Sequence, residues 1–386
     1  MTENAKYNNG IYTVFLSAFL VLFQIGIYFV YIPWNADRLQ ISEAEIGIGL
    51  LVFGISNLIG NQTSGRFVVP RIGTKNSITL GLVGIAYCPL FLILSPSYFW
   101  FLLAFIPFGF CVGLFSPSAQ SQISMIEEKT SKIITPLYHA AFSFGSLVGA
   151  ISAFFTIKYV ESPSLIFIVT GTMLILGSIA VYKFGLSKSF EGLKKIPKFK
   201  LPKKSILMFG VLMMMNYATM GIILDWSALW LTKDLLVPLY LGGAIIIAFN
   251  VGEITSRLFA SKMIKGSSEK FIGGYLSILA GIVLFMSILT GSFYVIIFGM
   301  VLFGFGTANF IAIILRQAIR ITDEPIALTI ANLITLGFAG FIFGPALVGY
   351  LAEYIGLTFN MYLLSLVWGL NGLALLIMMK RTKSII

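Results

Sequence analysis

The chain has 386 residues, 58% hydrophobic and 11% charged, with 26 Lys and Arg against 15 Asp and Glu and a formal charge of +11. Its mean hydropathy is +0.95. A soluble domain carries ~45–50% apolar and ~25% charged residues, so this composition excludes a water-soluble globular fold. The basic balance does not argue for nucleic acid either, because Lys and Arg sit between apolar runs rather than along one face.

In lipid, backbone polar groups must be satisfied internally, which leaves helices or closed barrels. Barrel strands alternate apolar and polar over ~10 residues. Here Ile11 to Ile32 and Ser205 to Leu224 are apolar for much longer. The expectation is therefore an all-α membrane protein of about twelve transmembrane helices. In chain order the apolar windows fall at 11–33, 44–64, 77–95, 98–122, 134–157 and 163–186, then at 205–231, 237–261, 271–290, 292–315, 326–350 and 358–379. The stretch after Glu3 to Lys6 is long enough to span and lacks a small-residue cleavage site, so it reads as span 1 rather than a signal peptide. Cys88 and Cys111 lie inside apolar runs and read as small hydrophobes.

Orientation follows from the loop cations. One side collects Lys6, Arg66, Arg71, Lys75, Lys129 and Lys132, the lysines from Lys183 to Lys204, Arg257, Lys262, Lys265, Lys270, Arg316, Arg320, Lys380, Arg381 and Lys383. The other side has Arg38, Lys158 and Lys233, so the split is 23 to 3 of the 26 cations. This predicts a multi-pass protein of the cell (inner) membrane with both termini cytoplasmic. The segment 188–204 carries seven lysines, two prolines and Glu191, and reads as a cytoplasmic basic linker near anionic headgroups. It separates an N-terminal six-helix bundle, 1–187, from a C-terminal one, 205–386. A repeat supports the division: Gly65-Arg66 followed by Arg71 to Lys75 after span 2, and Ser256-Arg257 followed by Ser261-Lys262 after span 8.

The basic turn made by Gly65, Arg66, Arg71, Gly73 and Lys75 resembles the signature loop of the major facilitator superfamily. That family's usual acid beside the first Arg is missing here. Three further stretches resemble the fucose-permease-like branch: Ile32-Pro33 with Ser42 to Gly47, His139 to Gly145, and Asp225 to Leu229. The resemblance implies the major facilitator fold and a secondary transporter working by alternating access, with two halves rocking around a site between them. It also implies carboxylates in spans 1 and 4 for sugar–proton symport. Phe29 and Ser116 stand at those places, and neither span holds Asp or Glu. A coupled proton would then titrate elsewhere, or transport is uncoupled.

Ionisable groups at membrane depth cost ~2.5–3.5 kcal/mol on insertion scales, so each is a functional candidate. His139, the single histidine, suits a proton relay or a helix-start bond. Asp225 with Trp226 suits a sugar, acid to hydroxyls and ring to the apolar face, or else an interfacial anchor. Glu253 and Arg257 are i, i+4 and close enough to pair as a latch. Arg66 and Arg71 are gating candidates through the signature loop. Among the amides, the family's use of spans 1, 4, 7 and 10 implies Gln24, Gln120, Asn216 with Tyr217, and Asn309 as substrate contacts. Asn57, Asn61, Asn250 and Asn332 read as helix glue. There is no Gly-x-x-x-x-Gly-Lys-Ser/Thr loop and no metal-ligand spacing, so no cofactor and no enzymatic activity are expected. The expected partners are a small-molecule substrate, protons and the bilayer, with the chain acting as a monomer. Scarce buried charge favours a small, neutral, sugar-like solute. The alternatives are efflux of hydrophobic compounds, suggested by 15% aromatic residues, and a non-transporting scaffold or sensor.

Overall fold

The computed structural model describes residues 3–130, 134–160, 162–188, 203–322 and 326–383. Most of the basic linker lies outside the described residues. Two compact units divide the chain, Met1–Ile196 and Pro197–Ile386.

The first unit contains α1 (Glu3–Leu39), α2 (Glu43–Thr63), a π-helical turn (Ser64–Val68), α3 (Val69–Ile85), α4 (Cys88–Leu94), α5 (Tyr98–Thr130), α6 (Thr135–Tyr159) and α7 (Pro163–Phe184). The second contains α8 (Lys204–Lys233), α9 (Ala244–Gly266), a π-helical turn (Phe271–Tyr275), α10 (Leu276–Leu289), α11 (Phe293–Thr307), α12 (Phe310–Arg320), α13 (Ile326–Ile355) and α14 (Leu357–Lys383).

Among the described residues, eleven helical stretches are long and apolar enough to cross a bilayer. One of them, Glu43–Leu94, is 52 residues long. At 1.5 Å per residue that is ~78 Å, far beyond a ~30 Å hydrocarbon core, so it holds two spans. The sequence suggests a loop between them; the chain instead stays helical through Ser64–Val68 and breaks at Gly73. Gly73 has φ 84° and ψ 166°, a region that only glycine occupies without strain. The twelve expected spans are thus accommodated.

Two spans are interrupted. Span 3 breaks at Ala86 and Tyr87, between α3 and α4, where Pro89 removes a backbone donor. Span 10 breaks at Ala308 and Asn309, between α11 and α12. Spans 1, 4 and 11 carry internal prolines, Pro33, Pro107, Pro117 and Pro345, and stay assigned as single helices. At the start of α2, Ser42 and Glu45 form a reciprocal capping box, so part of the Ser42 to Gly47 stretch has a plain helix-starting role.

The repeat seen in the basic loops recurs in packing. Within the first unit α1 packs on α6 and α7, α2 on α5, and α3 on α5 and α7. Within the second, α8 packs on α13 and α14, α9 on α11, and α10 on α11 and α14. Numbered by span, 1–5, 1–6, 2–4, 3–4 and 3–6 reappear as 7–11, 7–12, 8–10, 9–10 and 9–12. Gly109 on α5 and Gly304 on α11 hold matching places in this scheme: a Cβ at either would run into a facing backbone carbonyl, of Phe53 and Phe249 respectively. Close approach of backbones is what small residues permit between spans.

Candidate functional site

On α1, Gln24, Tyr28, Tyr31, Asn35 and Arg38 follow one another at i, i+4, i+7, i+11 and i+14, which is one helix face. Gln24 is fully buried, and its Nε2 donates to Ala86 O at 2.6 Å, at the break in span 3. The amide thereby satisfies a carbonyl that the interrupted helix leaves without its usual donor. Its Oε1 has no hydrogen-bond partner among the described residues. Tyr31 OH donates to Thr156 Oγ1 at 3.4 Å, tying span 1 to span 5. Arg38 donates Nη1 to Ser95 O at 2.6 Å and Nη2 to Asn35 Oδ1 at 3.1 Å, with Leu92 O at 3.4 Å. A guanidinium thus caps the last turn of α4, where a cation meets the negative end of the helix. Two of the three partners of Arg38 lie 54 and 57 residues away and leave no mark in local sequence.

Elsewhere in the first unit the polar groups are more dispersed. Gln120 on α5 is half-buried. Ser64, Ser77 and Ser118, each without solvent exposure, join spans 2, 3 and 4 through hydroxyl contacts of 2.8 to 3.3 Å. His139 is exposed one turn into α6, its ring 5.4 Å from that of Tyr138 and 6.2 Å from that of Phe142. Glu127, at the end of α5, accepts from Ile134 N, Thr135 N and Thr135 Oγ1 at 2.5, 2.7 and 2.9 Å, and so holds the start of α6. Arg66 and Arg71 are exposed.

In the second unit, α8 carries the candidates of span 7. Asp225 is 5% exposed and makes no hydrogen bond or ion pair among the described residues. It lies eight residues before the end of α8, ~12 Å along the axis. Asn216 is 2% exposed, with Oδ1 unpartnered. Nine residues is about two and a half turns, so Asn216 and Asp225 occupy opposite faces of α8. Trp226 has no solvent exposure, and its Nε1–H donates to Pro345 O at 3.0 Å. The indole is committed to packing α8 on α13, and a solute face for it is not open in this conformation. Tyr217 stacks obliquely on Phe338, ring centroids 5.7 Å apart.

Asn309 sits at the break in span 10 and donates to Ser256 Oγ at 3.0 Å, joining spans 10 and 8. Glu253 and Arg257 pair at 2.8 Å, as their i, i+4 spacing predicts. A second ionic group was not anticipated. Glu269 takes Arg320 in a two-toothed contact at 2.7 and 3.0 Å, with Gln317 Nε2 and, at 3.6 Å, Arg316. Arg316 therefore faces a carboxylate in the loop before span 9.

A dense small-residue helical fold, two units with one pairing scheme and interrupted spans lined by amides are the features of membrane transporters. The family model "Major Facilitator Superfamily" matches residues 14–324, and the chain belongs to that superfamily. It is 27% identical over 330 residues to an uncharacterised MFS-type transporter of Yersinia pestis, covering 85% of each chain. It is 25% identical over 334 residues to the membrane protein MosC of Rhizobium meliloti, covering 84% of this chain and 79% of that one. Among solved structures, a bacterial homologue of the human lysosomal transporter Spinster aligns with TM-score 0.75 at 12% identity, over 98% of both chains. The nucleoside transporter NupG aligns with TM-score 0.74 at 13% identity, over 96% of this chain and 99% of that one. At such identities the likeness concerns the fold alone. Membership of that superfamily makes the protein a multi-pass membrane transporter.

Proposed function

We propose that the chain is a secondary transporter of a small, neutral, polar solute, sugar-like in its hydroxyl pattern, working by alternating access in the cell (inner) membrane. Both termini are then cytoplasmic, as the 23-to-3 cation split suggests. The solute contacts are Gln24, Gln120, Asn216, Tyr217 and Asn309, from spans 1, 4, 7 and 10, while Asp225, on the opposite face of α8 from Asn216, is the coupling group. The fucose-permease-like branch is the corresponding placement within the superfamily.

One observation carries this reading. Asp225 is a buried carboxylate with no partner of its own among the described residues, while Glu253, the other buried acid, is paired with Arg257. An unpaired carboxylate at that depth is costly and is kept where it meets a ligand or a proton. The unpartnered acceptors Gln24 Oε1 and Asn216 Oδ1 suit hydroxyl donors better than they suit a cationic or purely apolar cargo. Asp225 is also the group we assign to proton symport, since spans 1 and 4 offer no acid.

Uptake into proteoliposomes tests this directly, with labelled sugars, nucleosides, amino acids and a lipophilic cation offered in parallel. Saturable uptake of a sugar, faster with an inwardly directed proton gradient, is the expected result. Movement of the lipophilic cation alone would overturn the solute class.

A further inference from the structure

The two basic loops of the repeat differ in how their charge is met. In the second unit Arg257 has Glu253 at 2.8 Å, and Arg316 and Arg320 share Glu269. In the first unit the position four before Arg66 is Gln62, not an acid. Arg66, Arg71, Lys75, Lys183 and Lys188 make no ion pair among the described residues. Glu127, one of two acids at the end of α5, is spent on the start of α6.

Yet these cations are gathered. Lys188 Nζ donates to Arg71 O at 2.8 Å, which brings an ammonium onto the Arg71 backbone. Lys75 Nζ lies 5.1 Å from the centroid of the Tyr182 ring, and the Arg71 guanidinium 5.6 Å from that of Phe67. Phe67, Tyr182 and Phe184 are all more than half exposed. The cluster therefore combines cations that have no acid partner among the described residues with exposed aromatic rings at one end of spans 2, 3 and 6. That is the depth at which headgroups lie and aromatic belts form. Beside Phe184 a groove of about 340 Å³ opens between α1 and α7, lined by Asn9, Tyr12, Thr13, Leu16, Ala180 and Phe184.

We propose that Arg71, Lys75 and Lys188 form a binding site for the headgroup of an anionic phospholipid, with its acyl chain along the Tyr12–Phe184 groove. Among the described residues the second unit pairs Arg257, Arg316 and Arg320 with its own carboxylates, and the first supplies no acid to Arg71, Lys75 or Lys188. Three donors of positive charge suit a phosphodiester. The flanking rings and groove favour a lipid over a free phosphate, which has no apolar part to bury.

The test uses the full chain purified in an uncharged detergent and titrated with phosphatidylglycerol or phosphatidylcholine, bound lipid being counted by native mass spectrometry. The expected result is tight retention of phosphatidylglycerol and not of phosphatidylcholine, with affinity falling about fivefold for each of Arg71→Gln, Lys75→Gln and Lys188→Gln. The triple variant should lose more than tenfold while its thermal midpoint falls by no more than a few degrees, because Arg71 and Lys188 are exposed, Lys75 is half-buried and none has an ion pair to lose among the described residues. Equal retention of both lipids, or of phosphatidylglycerol by wild type and triple variant alike, would overturn the site. Displacement by millimolar inorganic phosphate would assign it to a free anion and overturn the lipid. The readout is independent of transport, so it stands or falls apart from the solute proposed above.

Discussion

Gly73 shows how one residue can fix a turn that composition only outlines. Its φ of 84° with ψ of 166° falls where a side chain clashes with its own backbone. Gly73→Ala should destabilise the protein by about 1–3 kcal/mol, read as a lower thermal midpoint in detergent, whereas Gly65→Ala, at a helical position with open space around it, should change it little. Asp225 gives the opposite kind of residue, one whose replacement should help the fold and harm the work. Burying an unpaired charge is costly, so Asp225→Asn should leave the thermal midpoint level or raise it. Solute uptake should nevertheless drop by tenfold or more if the carboxylate meets the solute or its proton. A variant that transports at the wild-type rate would return Asp225 to a packing role. His139 is exposed one turn into its span, where a change of charge costs little desolvation, and His139→Ala should reduce uptake far less than Asp225→Asn.

Elements depend on partners that no local pattern announces. The helix windows were legible because ~20 apolar residues in a row admit few alternatives. The Glu253–Arg257 pair was legible because i, i+4 spacing is a property of the helix itself. The breaks in spans 3 and 10 were not, since hydropathy runs straight through them. Nor was the use of Gln24 to bond Ala86 O, 62 residues away, or of Arg38 to cap α4. Such contacts exist only once the spans are packed, and amides that read alike in sequence then divide. Gln24 and Asn309 brace neighbouring spans through their Nδ2 or Nε2 groups, while Asn216 keeps an open acceptor. Glu127 shows the same principle at a helix start. Removing it in Glu127→Ala leaves the amides of Ile134 and Thr135 without their acceptor. A capping bond is worth about 0.5–2 kcal/mol, so hydrogen exchange across the first turn of α6 should quicken by roughly tenfold, with the rest of the helix unaffected. Uniform exchange along α6 would show that neighbouring packing, not Glu127, sets that end.

At the scale of the molecule, the pairing scheme shared by the two units and the alternation of charge are independent signs of one design. The alternation has three exceptions, Arg38, Lys158 and Lys233. Two of them are held by the protein rather than left in a loop. Arg38 caps α4 and covers the Trp34 ring at 5.1 Å, and Lys158 lies over the rings of Phe154 and Tyr159 at 5.7 and 5.4 Å. A cation used in this way has a local reason to be where it is, so it counts less against the topological rule, and the remaining cations weigh more heavily for it. The orientation then makes a sharp prediction. In a chain with Cys88 and Cys111 replaced by alanine, single cysteines at Ser97, Ser162 and Ser292 should react with a membrane-impermeant maleimide on intact cells. A cysteine at Ser267, in the cation-rich loop, should react only after permeabilisation. All four positions lie between or at the ends of helices, so the label reports the side and not a helix face. Labelling at Ser267 on intact cells with silence at the other three would invert the protein. Labelling that switches side between Ser162 and Ser292 would instead mean an odd number of crossings between them, and would break the twelve-span count that the 52-residue stretch Glu43–Leu94 supports.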